Sequence, residues 1–260
     1  MVQISREVNL RGEGNEAVRV VTPWPGAAVT VIERTGSTMD DCRVLAQRGL
    51  PSGTAVVAGF QERGRGRAPG RQWLSPAWES LLMTVVLHAR ELSFPPSQVP
   101  LRAGLAVSRA IESATGVAPD IRWPNDAIIA GRKVAGILCE AHAGAVLVGI
   151  GINCLQRSFP VEIAATAGSL LLATGRTVRP LELCAPVLRR LREALDEVEW
   201  RGAVERRLAG RGNRTRIEPV GAGSAVEGTL LGLDADGALL VRDDGGSIRR
   251  VAQGEISGSR

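Results

Sequence analysis

Residues 121–154 read IRWPNDAIIAGRKVAGILCEAHAGAVLVGIGINC. Three apolar runs, at 127–130, 134–140 and 145–154, lie close together, with Gly131-Arg132 and Ala143-Gly144 as the turn signals between them. Two-residue connections with a glycine suit tight hairpins. Parallel neighbours would need a crossover of roughly a dozen residues or more, so strands joined this closely run antiparallel. The segment is therefore expected to be an antiparallel meander, entered from Ile121-Arg122-Trp123 through a Pro124-Asn125-Asp126 turn. The expected class is α+β, not a doubly wound dinucleotide fold.

Upstream, residues 28–32 read as a strand. Ser37 then caps a helix, with Asp40 and Asp41 in its first turn and Cys42, Leu45 and Ala46 on its apolar side. Hydroxyl caps and early carboxylates both favour the positive end of a helix. Residues 54–60 and 81–87 read as buried strands, with an Arg/Gly/Pro segment between them that has no regular period. A helix is expected over 101–115, closed by Gly116. Downstream, Leu188, Leu191, Leu195 and Val198 place an amphipathic helix at 186–200. Composition shifts near Gly212, and turn signals at 221–224, 234–237 and 243–246 divide the remainder into short strands. That pattern predicts a small barrel, marginal alone and so packed on the main domain. The expected layout is a lead-in at 1–27, a main domain at 28–212 and a barrel at 213–260. The lead-in is too short for a helix-turn-helix.

The chain has 260 residues, 44% of them hydrophobic, enough for a real core. No apolar run approaches the roughly 20 residues of a spanning helix, and no charged-then-apolar leader opens the sequence. Cys42, Cys139, Cys154 and Cys184 are scattered, and His88 and His142 are the two histidines. No zinc spacing results; free thiols and a cytoplasmic setting are expected, with no membrane association. The formal charge is +5, yet Lys133 is the single lysine among 32 basic residues. Arginine clusters at 63–71 and at 206–216 therefore matter more than the total.

Three stretches bear on chemistry. In Gly64-Arg65-Gly66-Arg67-Ala68-Pro69-Gly70-Arg71, glycines let the backbone approach an anion and arginines add forked donors. The same residues also suit a solvated loop or an RNA-binding patch, and they form no Walker A motif. In Arg122-Trp123-Pro124-Asn125-Asp126, a cation at a strand end faces a fixed turn; an ordinary hairpin with a buried tryptophan fits equally. In Gly149-Ile150-Gly151-Ile152-Asn153, alternate glycines mark close approach by a ligand or by another backbone.

Their order adds what no single stretch carries. Ser37-Thr38, Gln61 before GRGR, GRQW at 70–73, RWPND, GRKVAGIL at 131–138, GIGIN and a barrel closing on Gly254-Glu255-Ile256-Ser257 together resemble the biotin–protein ligase family. The resemblance runs from about residue 28 to the end. It implies a catalytic domain with a mixed, largely antiparallel sheet and helices, followed by an SH3-like barrel. It implies activation of biotin by ATP, with Mg²⁺ on the nucleotide, to biotinyl-5′-AMP. Transfer to a lysine of a biotin carboxyl carrier protein then follows. By position, Ser37, Thr38, Met39, Gln61, Arg65, Gly66, Arg67, Arg122, Gly136, Ile137, Leu138, Gly149 and Gly151 correspond to biotin-binding residues. Arg65, Arg67, Arg71, Trp73, Asn125, Lys133 and Asn153 correspond to the nucleotide site, and Arg122, Arg67 and Lys133 to the catalytic cations. Three departures stand out: Arg122 replaces a lysine, Met39 replaces a polar residue, and Ala68-Pro69 lengthens the loop by one residue. Alternatives are a lipoate or octanoate ligase, or a catalytically weakened biotin-binding relative. A monomer or weak homodimer without specific DNA binding is expected.

Overall fold

The computed structural model describes residues 22–67, 70–218 and 224–257. Its main sheet is built from β1 (Val29–Thr35), β2 (Ala55–Gln61), β3 (Ser80–His88), β4 (Asp120–Arg122), β5 (Asp126–Ile129), β6 (Arg132–His142) and β7 (Ala145–Asn153). The strand order is β1-β2-β3-β7-β6-β5-β4. Only the β1–β2 pair, joined through α1 (Thr38–Gln47), is parallel. The other pairs are antiparallel, including the whole β4–β7 meander. Both hairpin turns have positive φ at two successive positions, Ala130-Gly131 and Ala143-Gly144. This is the twist-matched type I′ geometry. The first turn thus lies one residue before the expected Gly131-Arg132, and Arg132 begins β6.

Alternation divides the sheet into two faces. Leu81, Met83, Val85 and Leu87 of β3 join Val146, Val148, Ile150 and Ile152 of β7 in the large core. That core is covered by α2 (Val99–Thr115) and α4 (Pro180–Asp196). Gly116 ends α2 at φ +79°, in the left-handed region expected of that cap. The opposite face carries α1 over Val56, Val86 and Leu147. Here β7 offers Gly149 and Gly151 where its far side offers isoleucines.

The helix expected at 186–200 begins six residues earlier and ends before Val198, which is 87% exposed. Pro180 occupies the first turn, where a missing N–H costs nothing, and Glu182 Oε2 accepts from Arg179 N at 3.0 Å. Pro186 lies inside the helix rather than at its start. A separate short helix, α5 (Trp200–Glu205), follows, with α3 (Leu170–Thr174) preceding both. Of the lead-in, residues 1–21 lie outside the described residues, while Trp24 is buried at 5% exposure against Gly53.

The second sheet is antiparallel: β8 (Arg214–Glu218), β9 (Val226–Leu233), β10 (Leu239–Arg242), β11 (Ile248–Val251) and β12 (Glu255–Ser257). Asp234 Oδ1 accepts from Asp236 N and Ala238 N, and Asp243 Oδ1 from Ser247 N, which fixes two of the expected turns. Of the third, residues 221–223 lie outside the described residues. The small sheet packs on the large one: Trp123 Nε1 donates to Gly237 O at 2.9 Å, and Gln98 Nε2 to Ala235 O at 2.9 Å. The class is α+β, with a large mostly antiparallel sheet and a small C-terminal β domain.

Candidate active site

The glycine side of the main sheet forms a cleft beneath the N-terminus of α1. Its wall and floor combine Ser37, Thr38, Met39, Gln61, Arg65, Gly66, Arg67, Gly136, Ile137, Leu138, Gly149 and Gly151 with Trp73, Leu82, Met83, Thr84, Asn125, Lys133 and Ile150. All but one of the residues that the resemblance gives to biotin therefore meet in one cavity. The exception is Arg122. A Cβ on Gly151 would sit 2.6 Å from the Trp73 ring, and one on Gly136 2.9 Å from it. The indole thus lies directly on the glycines, and about 60 Å³ of cavity remains. That is far below the roughly 300–1,000 Å³ of an ordinary ligand pocket. Trp73 thus occupies the space over the glycine floor. On Gly149, the would-be Cβ meets Met39 Cε at 2.8 Å, so Met39 forms the opposite wall.

Ser37 caps α1, its Oγ accepting from Met39 N at 3.3 Å. One residue on, Thr38 N and Thr38 Oγ1 both donate to Gln61 Oε1, at 2.9 and 3.0 Å. The helix start thereby fixes Gln61, and Thr38 Oγ1 also lies 2.8 Å from Thr84 Oγ1. Cys42 Sγ donates to Thr84 O below this network. Burial pushes the Cys42 thiol up to about 12, so it stays neutral.

The arginine segment is held by carboxylates. Arg65 Nη2 donates to Asp40 Oδ1 at 2.8 Å; Arg43 donates to the same oxygen at 2.6 Å and also pairs with Glu140. Arg67 Nη2 reaches Gly254 O at 2.8 Å and Glu255 at 3.2 Å, and Arg71 lies 3.7 Å from Glu255. The loop is therefore tied at one end to α1 and at the other to the barrel. Ala68 and Pro69, which lengthen it, lie outside the described residues.

Beyond Trp73, the cleft opens into a groove of about 410 Å³. Gly66, Arg67, Arg71, Trp73, Arg122, Asn125, Lys133 and Asn153 line it, with Leu74, Phe159, Ile163 and Ile256 as its apolar part. Arg122 belongs to this groove; its Nη2 donates to Gly131 O at 3.2 Å. Lys133 Nζ lies 2.6 Å from Asp126 Oδ1 and 5.6 Å from the Trp73 ring centre, where cleft and groove join. Asn125 is cross-bonded to Ile137, its Nδ2 donating to Ile137 O and its own O accepting from Ile137 N. The Asn153 amide is engaged within the fold, donating to Gly168 O at 2.9 Å and accepting from Ser80 Oγ at 3.3 Å. Six of the seven residues given to the nucleotide line the groove; Arg65 lies in the inner cleft instead.

Reading the sequence missed Thr84, Asp126 and Asp40 as parts of the site. Thr84 is the one hydroxyl in an otherwise apolar stretch of β3, a signal that could have found it.

Residues 31–156 match the biotin/lipoate A/B protein ligase family, and residues 212–258 match the biotin protein ligase C-terminal domain. A sheet with a glycine-floored cleft, opening into a groove that the second domain borders through Glu255 and Ile256, is the arrangement of a protein ligase of the biotin/lipoate class. Among solved structures, the biotin protein ligase from Aquifex aeolicus in complex with biotin and ATP is similar with a TM-score of 0.78 and 33% identity. The match covers 88% of this chain and 97% of that one. A biotin–(acetyl-CoA-carboxylase) ligase of Paracoccus denitrificans is 35% identical over 233 residues, covering 83% of this chain and 95% of the relative. The bifunctional ligase/repressor BirA of Bacillus spizizenii is 32% identical over 233 residues, covering 85% and 70%. The chain belongs to the biotin protein ligase family of enzymes.

Proposed function

We propose that the protein activates biotin as biotinyl-5′-AMP and transfers it to one lysine of a biotin carboxyl carrier protein. The observation that carries this reading is the continuity of the glycine-floored cleft with a groove holding Arg67, Arg71, Arg122 and Lys133. The bicyclic head of biotin lies on Gly149 and Gly151 once Trp73 swings aside, and its tail points past Lys133 to the groove. ATP lies in the groove, with adenine against the Leu74, Phe159 and Ile163 side and phosphates toward the arginines. Magnesium enters with the nucleotide.

A biotin carboxylate oxygen attacks the α-phosphorus, the bond to the bridging oxygen breaks, and pyrophosphate leaves with the electron pair. Charge grows on the phosphoryl oxygens, where Arg122, Arg67 and Lys133 stabilise it. Asp126 holds the Lys133 ammonium at the junction of the two spaces. The protein supplies no nucleophile. In the second step the neutral ε-amine of the carrier lysine attacks the acyl carbon, AMP leaves, and the amine loses a proton to water. Until then Trp73 and the arginine loop shield the anhydride from hydrolysis. The four cysteines are free thiols, which suits the reducing cytoplasm.

The test is transfer. With biotin and MgATP, an apo carrier domain gains one biotinyl group, and a carrier whose acceptor lysine is replaced by arginine gains none. Equal labelling of both carriers would overturn the transfer step.

A further inference from the structure

The network around Thr38 has a direction, and that direction assigns a role to Thr84. Thr38 N is a donor only, so the Gln61 atom 2.9 Å away must be the carbonyl oxygen. The amide nitrogen of Gln61 therefore faces away from Thr38. Thr38 Oγ1 lies 3.0 Å from the same carbonyl oxygen, and two acceptors at that distance need a proton between them. The single hydroxyl proton of Thr38 is thereby placed on the Gln61 side. It follows that the 2.8 Å contact between Thr38 and Thr84 takes its proton from Thr84. Among the described residues, Thr38 is the partner of the Thr84 hydroxyl, whose lone pairs remain to accept.

Thr84 lies in β3 opposite Gly149 of β7, so both are on the cleft face, and Thr84 lines the cavity. On either side of Thr38 the wall thus presents an acceptor, Thr84 Oγ1, and a pair of donors, Gln61 Nε2. A ligand head that offers N–H beside C=O matches this pair, and a cyclic urea does so. A hydrocarbon or dithiolane head offers neither and would leave the Thr84 oxygen buried without a donor.

We propose that Thr84 is a specificity-determining residue of the cleft, accepting a ring N–H of the ureido group while Gln61 donates to its carbonyl oxygen. This rests on the biotin reading above. Thr84→Val keeps the shape and removes the acceptor, whereas Thr84→Ser keeps the hydroxyl. Calorimetric titration of the whole chain with biotin, with desthiobiotin and separately with ATP tests it. T84V is expected to weaken biotin and desthiobiotin by a similar factor, about tenfold to a hundredfold. T84S is expected to stay within about threefold of the parent, and ATP binding to be unchanged in both. A parent chain that binds biotin while T84V binds it equally tightly would overturn the role of Thr84 alone. So would loss of biotin and ATP together in both variants, which would mark a packing role. A parent chain that does not bind biotin would overturn the proposed function itself.

Discussion

Arg122 stands at the end of β4 with its guanidinium in the groove, 3.2 Å from Gly131 O. If it stabilises charge on the α-phosphate, Arg122→Ala lowers kcat/KM for adenylate formation by about a hundredfold, the scale of losing one such donor. Arg122→Lys retains the charge and is expected to stay within about tenfold. Pyrophosphate release measures both, and an unimpaired R122A would remove Arg122 from the chemistry. The cations of the site were named through the family resemblance, since on residue types alone the Arg/Gly run suits a solvated loop equally. Their anionic partners were not. Asp40 reads as a helix-terminus charge and Asp126 as a turn residue. Their pairing with Arg65 and Lys133 depends on three-dimensional contacts, in the second case across a bulged β5–β6 register.

At the scale of elements, β7 shows how period two becomes a binding surface. Its isoleucines enter the core while Gly149 and Gly151 leave room on the other face. The two glycines are not equivalent. A methyl at Gly151 meets the rigid Trp73 ring, and one at Gly149 meets the movable end of Met39. Gly151→Ala is therefore expected to displace the indole and shift the tryptophan emission of the unliganded chain, and Gly149→Ala to leave that emission unchanged. Equal emission spectra of the two variants would contradict this placement of Trp73. The meander and the glycine strand could be read directly, since two-residue turns leave antiparallel pairing as the sole solution. The helix α4 was misplaced because Pro186 reads as a start signal. Its true start, Pro180, is set by the same rule, and packing on α2 and β3 carries the helix through the second proline. The inward position of Trp73 had no signal, because a tryptophan after an Arg/Gly loop has no period to follow.

On the scale of the whole molecule, the barrel and the arginine loop are coupled through Glu255 and Gly254, which hold Arg67, with Arg71 nearby. The composition shift near Gly212 announced a second module but not this contact, which joins residues 187 apart in sequence. Partly exposed ion pairs contribute about 0.2–1 kcal/mol, so Glu255→Ala should loosen the loop without unfolding the chain. Trypsin is expected to cut at Arg65, Arg67 or Arg71 about two- to fivefold faster in E255A, and biotin with MgATP to slow that cut. Identical rates, followed by mass spectrometry of the first fragments, would show the loop to be independent of the barrel. If one continuous space joins a biotin head to an ATP phosphate, the two react where they are bound. Mass spectrometry of the product bound after incubation with MgATP and an equal mixture of biotin, lipoate and octanoate reads this out. Biotinyl-adenylate is expected, with the lipoyl and octanoyl adenylates minor or undetected; an acyl-adenylate of lipoate or octanoate in excess, or biotin bound with no adenylate formed, would overturn the proposed function.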